Sequence, residues 1–225
     1  MNNVLWILPV SLLAVFMLSL IVWLAAISPR TNRKHNKAMQ DLSDRLNMNY
    51  SASPELPDIK AYNRFYLFKM SGAFFVENLM ERTADEQTVR FFEHSSSGPA
   101  SRFLNFRPRG VVSIHNPAAD FPKFEMYPEN LLNRACDLFA PGKDILFEHN
   151  PEFSRMFQFE TGDQIAVRHL FSDQMVRLIE EHKGISIAAS GEWIIFYRKL
   201  KPRTVKQAQL FIGSCLKINE VLIRK

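Results

Sequence analysis

Only two cysteines, Cys136 and Cys215, and eight glycines occur in 225 residues. Two lone thiols, in stretches that both read as helical, make neither a disulfide framework nor a paired metal-ligand motif. They are expected to be reduced and buried as small hydrophobes. The scarcity of glycine bears on phosphate binding: Gly142-Lys143 follows Ala140-Pro141 without the earlier glycine that a P-loop requires, so nucleotide binding is not expected. The six histidines, His35, His94, His115, His149, His169 and His182, fall at no metal-ligand spacing. There is no His-Glu-x-x-His and no Gly-x-Ser-x-Gly, and neither cysteine has a histidine beside it in sequence. No cofactor or metal is therefore expected, and no catalytic residue can be named.

The other absence is of charge. Val4–Ile27, VLWILPVSLLAVFMLSLIVWLAAI, has no ionisable side chain. At ~1.5 Å per residue such a helix reaches roughly 36 Å, enough to cross a ~30 Å hydrocarbon core with a modest tilt. Pro9 falls near the first turn, where its missing N–H loses no intrahelical acceptor, and Trp6 and Trp23 are spaced to sit at the two interfaces. A secretory signal peptide is the rival reading, because Ala25, Ala26 and Ser28 are small enough for a cleavage site. Against it stand the Met-Asn-Asn start, which carries no Lys or Arg, and an apolar run longer than the ~7–15 residues of a signal core. Residues 1–28 are thus expected to form a membrane anchor, with Val4, Trp6, Trp23 and Ile27 marking its extent.

Arg30, Arg33, Lys34 and Lys37 follow the run, and no acid occurs in the first 37 residues. By the positive-inside bias this basic linker, residues 29–37, lies on the cytoplasmic side, with the N-terminus outside and the bulk of the chain inside a bacterial inner membrane. The formal net charge of +5 is unevenly spread. Positive charge gathers beside the anchor and in residues 198–225, whereas residues 38–197 are acidic on balance. That division suits a body held at an anionic membrane surface, and nucleic acid, which demands a basic face on the fold itself, is not an expected partner.

Residues 38–225 are expected to form one α+β domain of mainly antiparallel sheet with packed helices. Lys34–Met48 carries Met39, Leu42 and Leu46 at helical spacing, and Ser51–Asp58 holds two prolines that mark a loop. Runs of strand length follow at Arg64–Met70, Ala73–Arg82, Thr88–His94, Gly110–His115 and Phe121–Tyr127, with turns too short for crossover helices. Pro128–Phe139 reads as a helix, and Asp144–Glu148 and Met156–Glu160 as short strands. Helices are expected over Gly162–Phe171 and Ser172–Lys183, with Gly184 as a left-handed stop. Ile185–Ala189 and Glu192–Arg198 flank Ser190-Gly191 and predict a tight hairpin. Thr204–Ile223 closes the chain with Ala208, Phe211, Ile212, Cys215, Ile218, Val221 and Leu222 on one face.

Three stretches invite a functional reading. Ser95–Gly110 interleaves Arg102, Arg107 and Arg109 with Phe103 and Phe106, which suits a loop or a membrane-touching segment. Thr204–Ile223 is expected to pack on the sheet, with contact to the membrane as the alternative. Arg155, between Phe153-Ser154 and Met156-Phe157, is expected to be partly buried in a structural ion pair, or else to bind an anion.

From Phe147 onward, FEHNPEFSRMFQFE, then GDQIAVRHLFSDQMVRLIEEH, then ISIAASGEWIIFYRK, preceded by SPELPDIKAYNRFYLF, resembles a family of uncharacterised bacterial membrane-anchored proteins labelled as a domain of unknown function. The likeness covers most of residues 40–223. It implies an extended segment with Phe-Ser-Arg, two helices, a hairpin and a closing helix, together with membrane anchoring; it implies no activity. The reading that results is a single-pass protein whose cytoplasmic, non-catalytic domain docks a protein partner or reads the bilayer surface. The alternative is a membrane-tethered hydrolase with a site built from residues distant in sequence, such as His169 or His182 with carboxylates.

Overall fold

The structure is a computed structural model that describes residues 33–69, 73–97, 109–128, 145, 147, 150–198 and 200–223. The apolar run Val4–Ile27 and Arg30 lie outside these residues, as does the helix expected over Pro128–Phe139 apart from Pro128, which is the last residue of a strand. Among the described residues no helix is long and apolar enough to cross a membrane. The chain divides into two units, Met1–Asp41 and Leu42–Lys225. Residues 33–45 are helical (α1), so the first unit is described over its last helical residues, where Arg33, Lys34 and Lys37 are exposed.

The second unit is built on one eight-stranded sheet. Its strands are β1 (Asn49–Ser51), β2 (Ala73–Ala84), β3 (Gln87–Ser97), β4 (Arg109–His115), β5 (Phe121–Pro128), β6 (Phe157–Thr161), β7 (Ile185–Gly191) and β8 (Trp193–Arg198). They lie in the order β1-β2-β3-β4-β8-β7-β5-β6, and every neighbouring pair is antiparallel. Two tight turns set the register. Asp85 and Glu86 both take positive φ, 49° and 63°, between Ala84 and Gln87, the backbone that a two-residue hairpin with right-handed strand twist requires. Gly191 takes φ +59° between the paired Ser190 and Trp193, where its missing side chain removes the steric cost.

The register makes the two faces unlike. Met80, Phe91, Val112, Phe196, Ile187, Met126 and Phe159 form one row across seven strands, and each is 0% exposed. At roughly 25 cal/mol per Å² of apolar surface removed from water, this dry spine stabilises the sheet across those seven strands. The adjacent row on the opposite face reads Glu81, Arg90, Ser113, Ile195, Ala188, Glu125 and Glu160, apolar only in the middle. A strand alternates its side chains between faces, so one sequence serves both rows.

Five further helices are placed by the sheet: α2 (Ile59–Tyr62), α3 (Tyr66–Lys69), α4 (Pro151–Met156), α5 (Gln164–Leu170) and α6 (Asp173–Glu181). A sixth, α7 (Val205–Ile223), closes the chain. It buries Ala208, Phe211, Ile212, Cys215, Ile218, Asn219 and Leu222, packing on α6 and β4, so the expected sheet-packing helix is observed with Asn219 in place of Val221 on its buried face. Arg198 lies over the Phe211 ring at 5.0 Å. Around α4 and α5, Phe147, Phe153, Phe159 and Phe171 form an aromatic cluster with centroids 5.1–6.3 Å apart, the edge-on and tilted contacts that ring quadrupoles favour.

Several expectations are corrected. Arg64–Met70 is not a strand: Tyr66–Lys69 is helical, because Tyr62, Phe65 and Phe68 recur every third residue and all three bury against the sheet. The Phe-Ser-Arg segment is not extended. It lies in α4, where Pro151 opens the helix and the Asn150 side chain accepts from Phe153 N–H at 3.0 Å. Ile145 and Phe147 are in no strand. The hairpin of Ile185–Gly191 with Trp193–Arg198 is as expected, and Gly184 takes φ +89°.

Candidate functional site

Helices α2 and α3 cover part of the mixed face, and the covering residue is Tyr62. Its ring, 0% exposed, touches Phe68 at 5.1 Å, Trp193 at 5.3 Å and Phe92 at 5.9 Å. Its hydroxyl is 2.6 Å from Ser113 Oγ. Beside it Arg90 is buried, paired with Glu81 across the strands and with Asp58 at 3.1 Å, and it lies over the Trp193 ring at 5.8 Å. Burial works against the Arg90 cation, but the hydrogen bond to Glu81 and the nearby Tyr62 hydroxyl outweigh it, and the net shift of its pKa is upward. Tyr62 is likewise raised, chiefly by burial. Tyr62 with Ser113, and Arg90 with Glu81 and Asp58, pair within this network and fix α2 to the sheet, although Arg90 Nη1 is buried without a hydrogen-bond partner among the described residues. The network is an internal brace.

The same face continues toward β5. Tyr66 N–H donates to Glu125 Oε1 at 2.6 Å, and Arg64 Nη1 donates to Ser190 O at 3.3 Å, so the start of α3 is tied to β5 and the residues just before it to β7. Burial raises the Glu125 pKa, with Glu160 adding to it and the Tyr66 bond opposing. On β3 the His94 ring packs edge-on against Phe68 at 5.1 Å, and burial lowers its pKa to about 4, with the Arg109 charge contributing.

The opposite side of β3 holds a second buried charge. Glu93, 2% exposed, accepts from Lys201 Nζ at 2.9 Å and from Asn78 Nδ2 at 3.1 Å. Tyr50 in turn donates to Asn78 Oδ1 at 2.7 Å. Asn78 sits at a break in the β2–β3 register with φ 53°, a conformation that asparagine tolerates better than most residues.

The His182–Ser214 contact is not arranged for hydrolysis. His182 Nδ1 lies 3.3 Å from Ser214 Oγ, yet that hydroxyl donates to Leu210 O at 2.8 Å, one turn back on α7. The ring must then donate to the serine, with Nε2 left buried and unprotonated, which agrees with a pKa lowered chiefly by burial. A serine whose proton points to a carbonyl is no nucleophile paired with a base. His169 is exposed on α5, and among the described residues no group of three His, Cys, Asp or Glu side chains could hold a metal. Cys215 is fully buried, and burial raises its thiol pKa well above the ordinary value. Cys136 lies outside the described residues.

Arg155 corrects the remaining expectation. It is exposed on α4 rather than partly buried, and among the described residues it makes no ion pair, because the helix turns Phe153 inward and the arginine outward. Of Ser95–Gly110, the described ends belong to β3 and β4.

The surface feature that stands out is an open groove of about 710 Å³ between the proline-bearing loop after β1 and the first half of β2. Leu56, Ile59, Phe75 and Val76 line it with Glu55 and Glu77, and Ile59 and Phe75 are 45% and 57% exposed. The sequence carried a sign of it, since Phe74-Phe75 precedes Val76 where a half-buried strand calls for alternation.

No family model matches the sequence, and no curated protein matches it. A solved structure does. The fold is similar to that in the crystal structure of the mycobacterial trehalose monomycolate transport factor A, TtfA, with a TM-score of 0.52 over 83% of this chain and 94% of that chain. At 10% identity the likeness to TtfA is one of fold alone.

Proposed function

We propose that the protein is a single-pass inner-membrane protein, N-terminus outside, whose cytoplasmic α+β domain is a non-catalytic module that docks a protein partner at the membrane. The observation that carries the docking role is the groove beside β2, which leaves a phenylalanine and an isoleucine open to water. Covering each would contribute roughly 1 kcal/mol or more to the binding of a partner. Arg90 and Glu93 are buried in internal pairs, and in the contact of Ser214 with His182 the serine proton points the wrong way for hydrolysis. The anchoring rests on the uncharged run Val4–Ile27 and the basic Arg30, Arg33, Lys34 and Lys37 behind it.

Unbiased crosslinking and capture from native membranes tests the docking role; a domain with no reproducible neighbour does not dock. Alkaline phosphatase fused after Lys225 tests the orientation, and periplasmic phosphatase activity would overturn it.

A further inference from the structure

We infer that the outer edge of β2 at Phe75–Glu77 accepts an extended, alternately basic and apolar peptide of a partner protein as an added strand. This rests on the docking role proposed above and supplies its site and the chemistry of the partner.

The edge is open for a chemical reason. β1 pairs with β2 only at Leu79–Glu81, whereas β2 runs back to Ala73 and is paired there by β3. The last rung is Asn78 N–H to Ala52 O at 2.9 Å. Beyond it come Pro54 and Pro57, which have no N–H to donate, so the chain leaves the sheet rather than extending β1. Among the described residues no strand lies on the outer side of Ala73–Glu77. Along such an edge alternate residues turn N–H and C=O outward, and five residues at ~3.4 Å each give roughly 17 Å of template.

The groove supplies specificity alongside the edge. Val76 is buried with Leu56 in the Tyr62 core, while Phe75 and Glu77, the next residues on either side, point to the other face of the strand. A peptide strand laid here meets Ile59 and Leu56 on one side and Phe75 on the other. The charged residues that line the groove, Glu55 and Glu77, are both acidic and exposed. Their sign is felt nearby: the Tyr50 pKa is raised by burial first and then by Glu93 and Glu77. An extended backbone with cationic and branched apolar side chains in alternation matches the open ladder, the apolar lining and the charge together.

The test uses the full chain in nanodiscs of zwitterionic lipid and a labelled nonapeptide of alternating lysine and valine, with empty nanodiscs as reference. Saturable binding by fluorescence anisotropy is expected, with slowed hydrogen exchange confined to the β2 amides around Phe75–Glu77. Phe75→Lys, and separately Glu55→Lys with Glu77→Lys, are each expected to weaken binding about tenfold with the fold unchanged, because all three side chains are exposed. A peptide with glutamate in place of lysine, or one N-methylated at alternate amides, is expected not to bind. Equal binding by either peptide, or unchanged affinity in Phe75→Lys, overturns the proposal. Dimerisation without peptide that Phe75→Lys abolishes also overturns it, assigning the edge to a second copy. In the membrane crosslinking experiment, a neighbour still captured by Phe75→Lys removes this site and leaves the docking role standing, whereas no neighbour at all removes both.

Discussion

Acidification is expected to strip the domain of about 3 kcal/mol that depend on one imidazole. His94 is 2% exposed and packed on Phe68, and burial holds its pKa down at about 4, with Arg109 adding repulsion to the charged form. In the unfolded chain the same ring titrates at ~6.5, so the unfolded state binds the proton more tightly. The stabilising contribution is complete above about pH 6.5 and is lost as the pH falls toward about 4. A difference of about 2.5 pKa units at ~1.4 kcal/mol each gives the figure above. The measurement is urea unfolding of the full chain in detergent, followed by circular dichroism, at a series of pH values between about 4 and 7, for the wild type and for His94→Leu. Carboxylates common to both proteins cancel in the difference, and the wild type should show the steeper loss by about 3 kcal/mol across the window. Parallel curves would refute the reasoning, since they would mean that His94 is as easily protonated inside the fold as outside it.

Other predictions concern the brace, a close approach and the thiol. Tyr62→Phe and Ser113→Ala should each cost about 1–2 kcal/mol in unfolding free energy, and the double variant distinctly less than their sum, because removing both partners leaves no buried hydroxyl unpaired. Strict additivity would show that the 2.6 Å contact carries no coupling. Gly110→Ala should lower stability by about 1–3 kcal/mol, since its new Cβ would stand 2.7 Å from Pro202 Cδ, a rigid ring with no rotamer to yield; an unchanged melting temperature would contradict this. In a Cys136→Ser background, Cys215 should resist an aromatic disulfide reagent until denaturant is added, and prompt labelling of the native protein would count against its burial.

The strands of the sheet were legible as short apolar and aromatic runs bounded by turns. Val89, Phe91 and Phe92 in β3 and Val111, Val112 and Ile114 in β4 are buried on both faces of the sheet, which calls for such runs, and Ser190-Gly191 announced its hairpin. Arg64–Met70 misled because aromatic-rich RFYLFKM suits a pleated surface by propensity, while the three-residue spacing of Tyr62, Phe65 and Phe68 is a tertiary matter. Asn150-Pro151 did hold the signature of a helix start, an oxygen-bearing cap followed by a proline at the first turn, and it outweighed the extended reading of Phe-Ser-Arg. The groove was harder to foresee. It arises where β1, only three residues long, stops short of the full length of β2, and nothing local to Phe75 encodes how far its neighbour runs.

The seam between β4 and β8 has a consequence for biosynthesis. Val111 aligns with Tyr197 and His115 with Trp193, so residues roughly eighty positions apart must meet before the two halves of the sheet become one. β8 is synthesised long after β4, and contacts of such long range are slow to form. The first four strands must wait as a partial meander for the last hairpin to dock, which makes this late joining step the natural point for a chaperone, or for destabilising substitutions at Ile194 and Phe196, to decide the yield of folded protein.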